Sequence, residues 1–235
     1  MGKNKRKNIE RVILNAFSCW LHKTILLIVI CSNRFWTMIY LICDFEIIPK
    51  GIFDMIYMFL ADGFEEVEAL CPLDILRRAG LEVTTVGVGG KDTVVGSHGI
   101  AVQADIPDIM YRDSSPDMII LPGGIPGSKN LDESKIVDAA LRVAAKKGAY
   151  LCAICDAPMV LGKRGYLEGK KAVCYPGFEQ FLSGATVSET ETVVKDGNII
   201  AAKGMGAAFE FGLELVRALK DGETAEGVKK SVFAK

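Results

Sequence analysis

Cys155 lies in the stretch Tyr150–Leu161, "YLCAICDAPMVL", where a short apolar run gives way to Asp-Ala-Pro and then to a helical pattern. A thiol at such a strand-to-helix turn sits on a constrained backbone at the sheet edge. It faces helix N–H groups that favour its thiolate, which makes it a candidate nucleophile. The alternative is a small buried hydrophobe, the ordinary fate of a free cysteine. Cys71, Cys152 and Cys174 lack that setting and read as packing residues. Cys152 and Cys155 form a CxxC, but in a thioredoxin-like dithiol the first cysteine opens a helix, whereas Cys152 lies inside the apolar run.

Chemistry at a thiol needs a proton carrier. Glu65, Glu66 and Glu68 open a helical pattern, where acids commonly complement the helix dipole. Glu68 stands one turn further in, beside Val67 and Leu70 on the apolar stripe. A carboxyl pushed toward a core stays protonated and can donate to a thiolate or move a proton for a bound carbonyl. "LPGGIPG", Leu121 to Gly127, ends a strand and is either a tight turn or a backbone that offers N–H groups to a ligand. "GVGGKD" lacks the GxGxxG spacing and no GxxxxGK[ST] exists, so no phosphate cradle is expected. The two histidines, His22 and His98, stand apart in sequence from any cysteine or acid cluster, so no metal site is expected.

These residues must be carried by an α/β scaffold. Apolar runs at Met55–Ala61, Glu82–Val88, Asp117–Leu121, Ala149–Ile154 and Ile199–Lys203 alternate with helical patterns at Glu65–Arg78, Asp132–Lys147, Asp156–Leu161 and Ala207–Lys220. That alternation predicts a parallel sheet wrapped by helices, its strands buried on both faces. Asp132 reads as a helix cap, Gly80 and Gly148 as helix stops, and Asp196-Gly197 as a hairpin turn. "TVVGSHGIAVQAD" predicts a small hairpin decorating the sheet edge. In an open parallel sheet the ligand crevice lies at the carboxyl ends of the strands, so "ADGFEEVE", "LPGGIPG" and "AICDAP" should converge there.

Composition sets the class. Half of the 235 residues are hydrophobic and a quarter charged, with a net charge of −1, which excludes a disordered chain and gives no reason to expect nucleic acid. Residues 1–54 carry eight Lys/Arg against four Asp/Glu, leaving 20 against 25 for residues 55–235. The shift divides the chain into a basic extension, 1–54, and a domain, 55–235. Seven scattered cysteines argue against a secreted disulfide scaffold and for a reducing, cytoplasmic compartment. Between Lys23 and Asp44 lie 20 mostly apolar residues, but Arg34 sits at their middle and costs about 2.5–3.5 kcal/mol on insertion, so a membrane anchor is not expected. The extension reads instead as disordered or as no part of the native product.

"FLADGFEEVEALCPLDILRRAGLEV", "MIILPGGIPGSKNL", "AICDAP" and "AFEFGLELVRAL" together resemble the ThiJ/PfpI (DJ-1/PfpI) superfamily, in its protein-deglycase branch. The resemblance runs from about Met55 to the C-terminus. It implies a flavodoxin-like α/β sandwich of the class I glutamine amidotransferase type, a homodimer, and a cysteine at a nucleophile elbow. By resemblance Cys155 is that cysteine, Glu68 its protonated partner, and the backbones of Gly124 and Asp156 the oxyanion pocket, with Gly123, His98 and Tyr175 as further pocket residues. The implied activity is a cofactor- and metal-free glyoxalase or deglycase reaction on a small carbonyl substrate, through a hemithioacetal on Cys155. The competing expectation is a redox sensor or chaperone-like stress protein whose cysteine oxidises to a sulfinate. The chain departs from the family at three points. Asp156 stands where peptidase-like members carry histidine, Tyr175 where deglycase-like members often do, and His98 where an arginine is frequent. Peptidase chemistry is therefore not expected, unless His98 crosses a dimer to complete a dyad.

Overall fold

The computed structural model describes residues 25–32, 35–42, 55–112 and 115–234. The chain forms two units, residues 1–52 and 53–235. In the first, Ile25–Ser32 and Phe35–Ile42 make an antiparallel pair, Ile25 opposite Ile42. The other expectations for residues 1–54 lie outside the described residues. Among the described residues no helix is long and apolar enough to cross a membrane.

The second unit alternates strand and helix as its apolar runs require. In chain order it contains β1 (Ile56–Leu60), α1 (Glu66–Arg78), β2 (Val83–Gly87), β3 (Thr93–Val95), β4 (Ala101–Gln103), β5 (Ile106–Pro107) and β6 (Met118–Leu121). There follow α2 (Gly127–Glu133), α3 (Lys135–Lys147), β7 (Tyr150–Ile154), α4 (Pro158–Gly162), β8 (Val193–Asp196), β9 (Ile199–Ala202), α5 (Ala208–Leu219) and α6 (Gly222–Ser231). Seven strands form one sheet in the order β8-β9-β7-β6-β1-β2-β5. Every neighbouring pair is parallel except β8–β9, a hairpin closed at Asp196-Gly197.

Continuous apolar strands place alternate side chains on opposite faces. Phe59, Ile119, Leu121, Leu151 and Ala153 pack beneath α3 and α4, with Leu131, Val137, Leu141 and Val160. Met58, Leu60, Met118, Ile120, Cys152 and Ile154 face α1, α5 and α6, with Leu73, Leu76, Phe211 and Val216. This is the flavodoxin-like sandwich that was expected. The register sets Ile120 beside Cys152 and Leu121 beside Ala153, which brings the Pro122–Gly124 turn level with Cys155 at the carboxyl edge.

Four details differ from the sequence reading. The helix expected over Asp132–Lys147 breaks at Ser134, whose side chain caps α3 by accepting from the Val137 amide, while Asp132 pairs with Lys163 and Arg164 instead of capping. The helix after Cys155 begins at Pro158 instead of Asp156, because Asp156 is spent on the turn described below. The edge hairpin β3–β4 is a separate two-stranded sheet. It clasps the β1–α1 loop, the Gly63 amide donating to Val95 O at 2.8 Å and the Ser97 amide to Phe64 O at 2.8 Å. Helix α6 has no counterpart in the expectations, since only Ala225 and Val228 of its residues are buried.

Candidate active site

The site is assembled where β1, β6, β7 and β9 end. Cys155 follows β7 directly with φ of 67°, the left-handed region that a side chain with Cβ enters at a cost of about 1–2 kcal/mol. Its backbone is held on both sides: the amide donates to Ala202 O at 2.9 Å and the carbonyl accepts from the Tyr175 amide at 2.6 Å. The chain thus reverses at the thiol and not at a turn residue, the geometry of a nucleophile elbow. The sulfur is partly buried.

Glu68 reaches the same point from α1. Glu65 caps that helix, its carboxylate accepting from the Glu68 amide at 2.7 Å, and the Glu65 amide donates to Gly123 O at 2.8 Å. The first turn of α1 is therefore pinned to the β6 turn, and the Glu68 side chain is directed inward, where it is 1 % exposed. Burial raises its carboxyl to about 7, against the opposing pull of the Cys155 thiol and the Gly123 amide, with the Glu65 and Asp156 carboxylates adding to the rise. Among the described residues Glu68 Oε2 is buried with no hydrogen-bond partner. A neutral carboxyl beside a sulfur, with one oxygen left unpartnered, is a group able to relay a proton or hold a ligand.

Gly123 makes this convergence possible. A Cβ there would lie 2.5 Å from Glu68 Oε2, 2.6 Å from Cys155 Cβ and 2.7 Å from Asp156 Oδ1. Nothing larger than hydrogen fits between the three acidic side chains.

The oxyanion pocket differs from the expectation. Gly124 has φ of 110°, which suits glycine, but its amide is already engaged, donating to Asp156 Oδ1 at 2.9 Å. The same oxygen accepts from Ser128 Oγ at 2.7 Å, and Asp156 is 4 % exposed. The Asp156 amide donates toward the sulfur. The ionised thiol expected from the amide dipoles is corrected as well: burial, then the Glu68 and Asp156 carboxylates, push Cys155 well above the ordinary thiol range, and the Asp156 amide opposes this only in part.

Tyr175 and His98 occupy different places. Tyr175 is half exposed and its ring lies 3.5 Å from where a Gly204 Cβ would stand, a point 4.0 Å from Glu68 Oε1, so it borders the site. His98 sits on the β3–β4 hairpin and pairs with Glu66: its Nδ1 lies 2.7 Å from Glu66 Oε2 and its amide donates to Oε1 at 2.7 Å. Sequence separation hid this pairing, so His98 is not isolated from acids, and Glu65, Glu66 and His98 present their ligand atoms to one another. Burial works against the charge on Glu66, yet the His98 ring and amide hold it down to about 2. Cys152 is fully buried within β7, and that burial raises its thiol well beyond the ordinary range. Sequence reading missed Ser128 and Glu65. The only signal for Ser128 was its place just after the glycine-rich turn.

Comparison with known proteins agrees with this architecture. Residues 54–218 match the model of the DJ-1/PfpI family. The chain is 37% identical over 175 residues to "Protein dj-1beta" of Drosophila melanogaster, covering 74% of this chain and 94% of that protein. It is 31% identical over 169 residues to the "Glutathione-independent glyoxalase DJR-1.2" of Caenorhabditis elegans, covering 71% of this chain and 88% of that protein. The crystal structure of Drosophila melanogaster DJ-1beta superposes with a TM-score of 0.75 at 34% identity, over 78% of this chain and 100% of the other.

Proposed function

Because the chain belongs to the DJ-1/PfpI family, we propose that it is a cysteine-dependent, glyoxalase- or deglycase-like enzyme acting on small reactive dicarbonyls such as methylglyoxal or their adducts. The observation that carries this reading is the buried carboxyl of Glu68, one oxygen of it without a partner among the described residues, facing Cys155 at the elbow. A glyoxalase name on one relative supports the same class.

The steps follow from those two groups. As the aldehyde carbon approaches, the neutral Glu68 carboxyl takes the thiol proton on one oxygen while the other oxygen releases the proton it already carries. The sulfur lone pair forms the C–S bond, the carbonyl π pair moves to oxygen, and Glu68 returns the proton there, giving a hemithioacetal. The proton on that carbon then moves to the neighbouring carbonyl carbon and the hemithioacetal hydroxyl proton moves to the neighbouring carbonyl oxygen, both relayed by Glu68, so that the first carbon is oxidised and the second reduced. The product is a thioester of a 2-hydroxy acid. Water then displaces the sulfur and restores the thiol. No external oxidant or reductant is required.

The surroundings favour a neutral substrate with a short apolar group. Ile125, Tyr175 and Met205 are exposed apolar side chains adjoining Gly124, Cys155 and Gly204, and the inner groups are the acids Glu68 and Asp156. An anionic carbonyl compound would meet those acids unfavourably.

The test is consumption of methylglyoxal without glutathione, with the hydroxy acid followed as product. Wild-type turnover that disappears in Cys155→Ser and falls at least about a hundredfold in Glu68→Leu is the expected result. Turnover that persists in Cys155→Ser, or none in the wild type, overturns the reading.

A further inference from the structure

An oxyanion pocket normally waits open for charge to develop, its amides aimed at an unoccupied position. Here the Gly124 amide, which the family resemblance assigns to such a pocket, is already taken. The Gly124 N–H donates to Asp156 Oδ1 at 2.9 Å, and Ser128 Oγ fixes the same oxygen from the other side at 2.7 Å. Ser128 is 1 % exposed and is itself tied back, its amide donating to Gly124 O at 2.8 Å. The carboxylate therefore sits in a closed ring of Gly124, Ser128 and Asp156. It does so on the residue after Cys155, its Oδ1 lying 2.7 Å from where a Gly123 Cβ would stand, a point 2.6 Å from Cys155 Cβ.

We propose that Asp156 is an internal anion seated on the Gly124 amide, so that the oxyanion of a bound carbonyl, or of an oxidised Cys155, reaches that amide only by displacing the protein's own carboxylate. Asp156 is thus a positioning residue: it acts on the reacting atoms through the amide it occupies and through its charge beside the thiol. The inference rests on the reading of Cys155 as the reactive group of this site. Two consequences follow from charge and geometry alone. The seated carboxylate opposes formation of a second negative charge on the sulfur. It also denies a sulfinate the amide that would hold one of its oxygens, and so disfavours the sensor chemistry. Formation of that sulfinate takes two peroxide molecules, each giving one oxygen to sulfur and leaving as water.

The other charged or titratable groups around the thiol remain as they are in the test. Glu68 faces it from α1, with Glu65 and the Glu66–His98 pair behind, and Tyr175 borders it from the following loop. Lys203, at the end of β9, turns its ammonium to Glu189 O at 3.0 Å instead.

The test compares wild type with Asp156→Ala, Asp156→Asn and Ser128→Ala. Alkylation of Cys155 by iodoacetamide is followed by peptide mass across pH 6 to 10, beside its sulfinate yield at a fixed dose of hydrogen peroxide. Asp156→Ala is expected to alkylate at least about tenfold faster at neutral pH, with its profile displaced to lower pH and a larger sulfinate yield. Asp156→Asn removes the charge but keeps an oxygen on Gly124, and is expected to gain in alkylation rate while keeping the low sulfinate yield. Ser128→Ala loosens the seat and should move both readouts in the direction of alanine. Profiles and yields that match wild type in Asp156→Ala overturn the proposal. If that variant does not fold, a wild-type alkylation profile in Asp156→Asn does so. Neither readout uses a dicarbonyl, so failure of methylglyoxal turnover leaves this result standing, and the reverse holds.

Discussion

At the scale of single residues, the site is a problem of three acids sharing one small space. Cys155, Glu68 and Asp156 all lose a proton to become charged, and all three press on Gly123. Burial settles the competition by keeping the proton on Glu68 up to about 7 and on the thiol well beyond it, while the Gly124 amide and Ser128 hydroxyl accommodate Asp156. The glycine between them is then as specific as the acids. In Gly123→Ala the added methyl would lie 2.5 Å from Glu68 Oε2, a contact relieved only by swinging that carboxyl away, and 2.6 Å from Cys155 Cβ, which no side-chain rotation relieves. The protein should fold with a loss of about 1–3 kcal/mol in urea unfolding, and dicarbonyl turnover should fall by at least about a hundredfold. Full activity in that variant would mean that Glu68 and Cys155 do not act together.

Sequence alone located Cys155 and Glu68 as candidates because each broke a local rule. A cysteine stood where a turn residue belongs, and an acid stood on an apolar stripe. The occupancy of the Gly124 amide was not legible, since it depends on an aspartate, a serine and a glycine from three separate segments whose meeting is set by the register of β6 and β7.

At the scale of elements, five strands and the helices α1, α3 and α5 were readable from apolar runs and helical spacing. The misses share a cause: polar detail outweighed hydrophobic pattern. Helix α6 buries only Ala225 and Val228, too few to mark a periodicity, and is instead announced by Asp221, whose side chain accepts from the Thr224 amide. Strand β5 is two residues long, below any usable pattern. The break between α2 and α3 is one serine cap inside an otherwise continuous helical stretch. Helix α1 shows how such a cap can matter for function. Glu65 is an uncommon cap residue, yet its carboxylate accepts from the very residue whose side chain enters the site, and its amide anchors the helix to Gly123 O. Glu65→Ala should cost about 0.5–2 kcal/mol by thermal or urea unfolding. It should also lower kcat more than it raises KM, because Glu68 loses its fixed start. Glu65→Asp, which keeps an acceptor, should recover most of both losses. An alanine variant with wild-type stability and kinetics would reduce Glu65 to a surface acid.

At the scale of the whole molecule, the carboxyl edge of the sheet gathers buried acids whose effects on stability run in opposite directions with pH. Glu66 is held down to about 2, so the stability it contributes is present above its ordinary 4.5 and is lost as pH falls toward 2. Glu68 has the opposite sign. Below its ordinary 4.5 it is protonated in both folded and unfolded chains and has no differential effect. Between 4.5 and about 7 the unfolded chain gives up the proton while the folded chain keeps it, so stability falls as pH rises through that window. Above about 7 the deficit is constant, and the separation of 4.5 from 7 corresponds to about 3 kcal/mol. Glu68→Gln preserves the shape and removes the ionisation. Its unfolding free energy should equal that of wild type near pH 4 and exceed it by about 2–3 kcal/mol at pH 8, with the pH 4.5–7 slope abolished and turnover lost. The comparison is made by urea titration at a series of pH values. Parallel curves for the two proteins would show that Glu68 ionises as freely in the fold as in the unfolded chain, which would leave Cys155 without the neutral acid that the proposed chemistry requires.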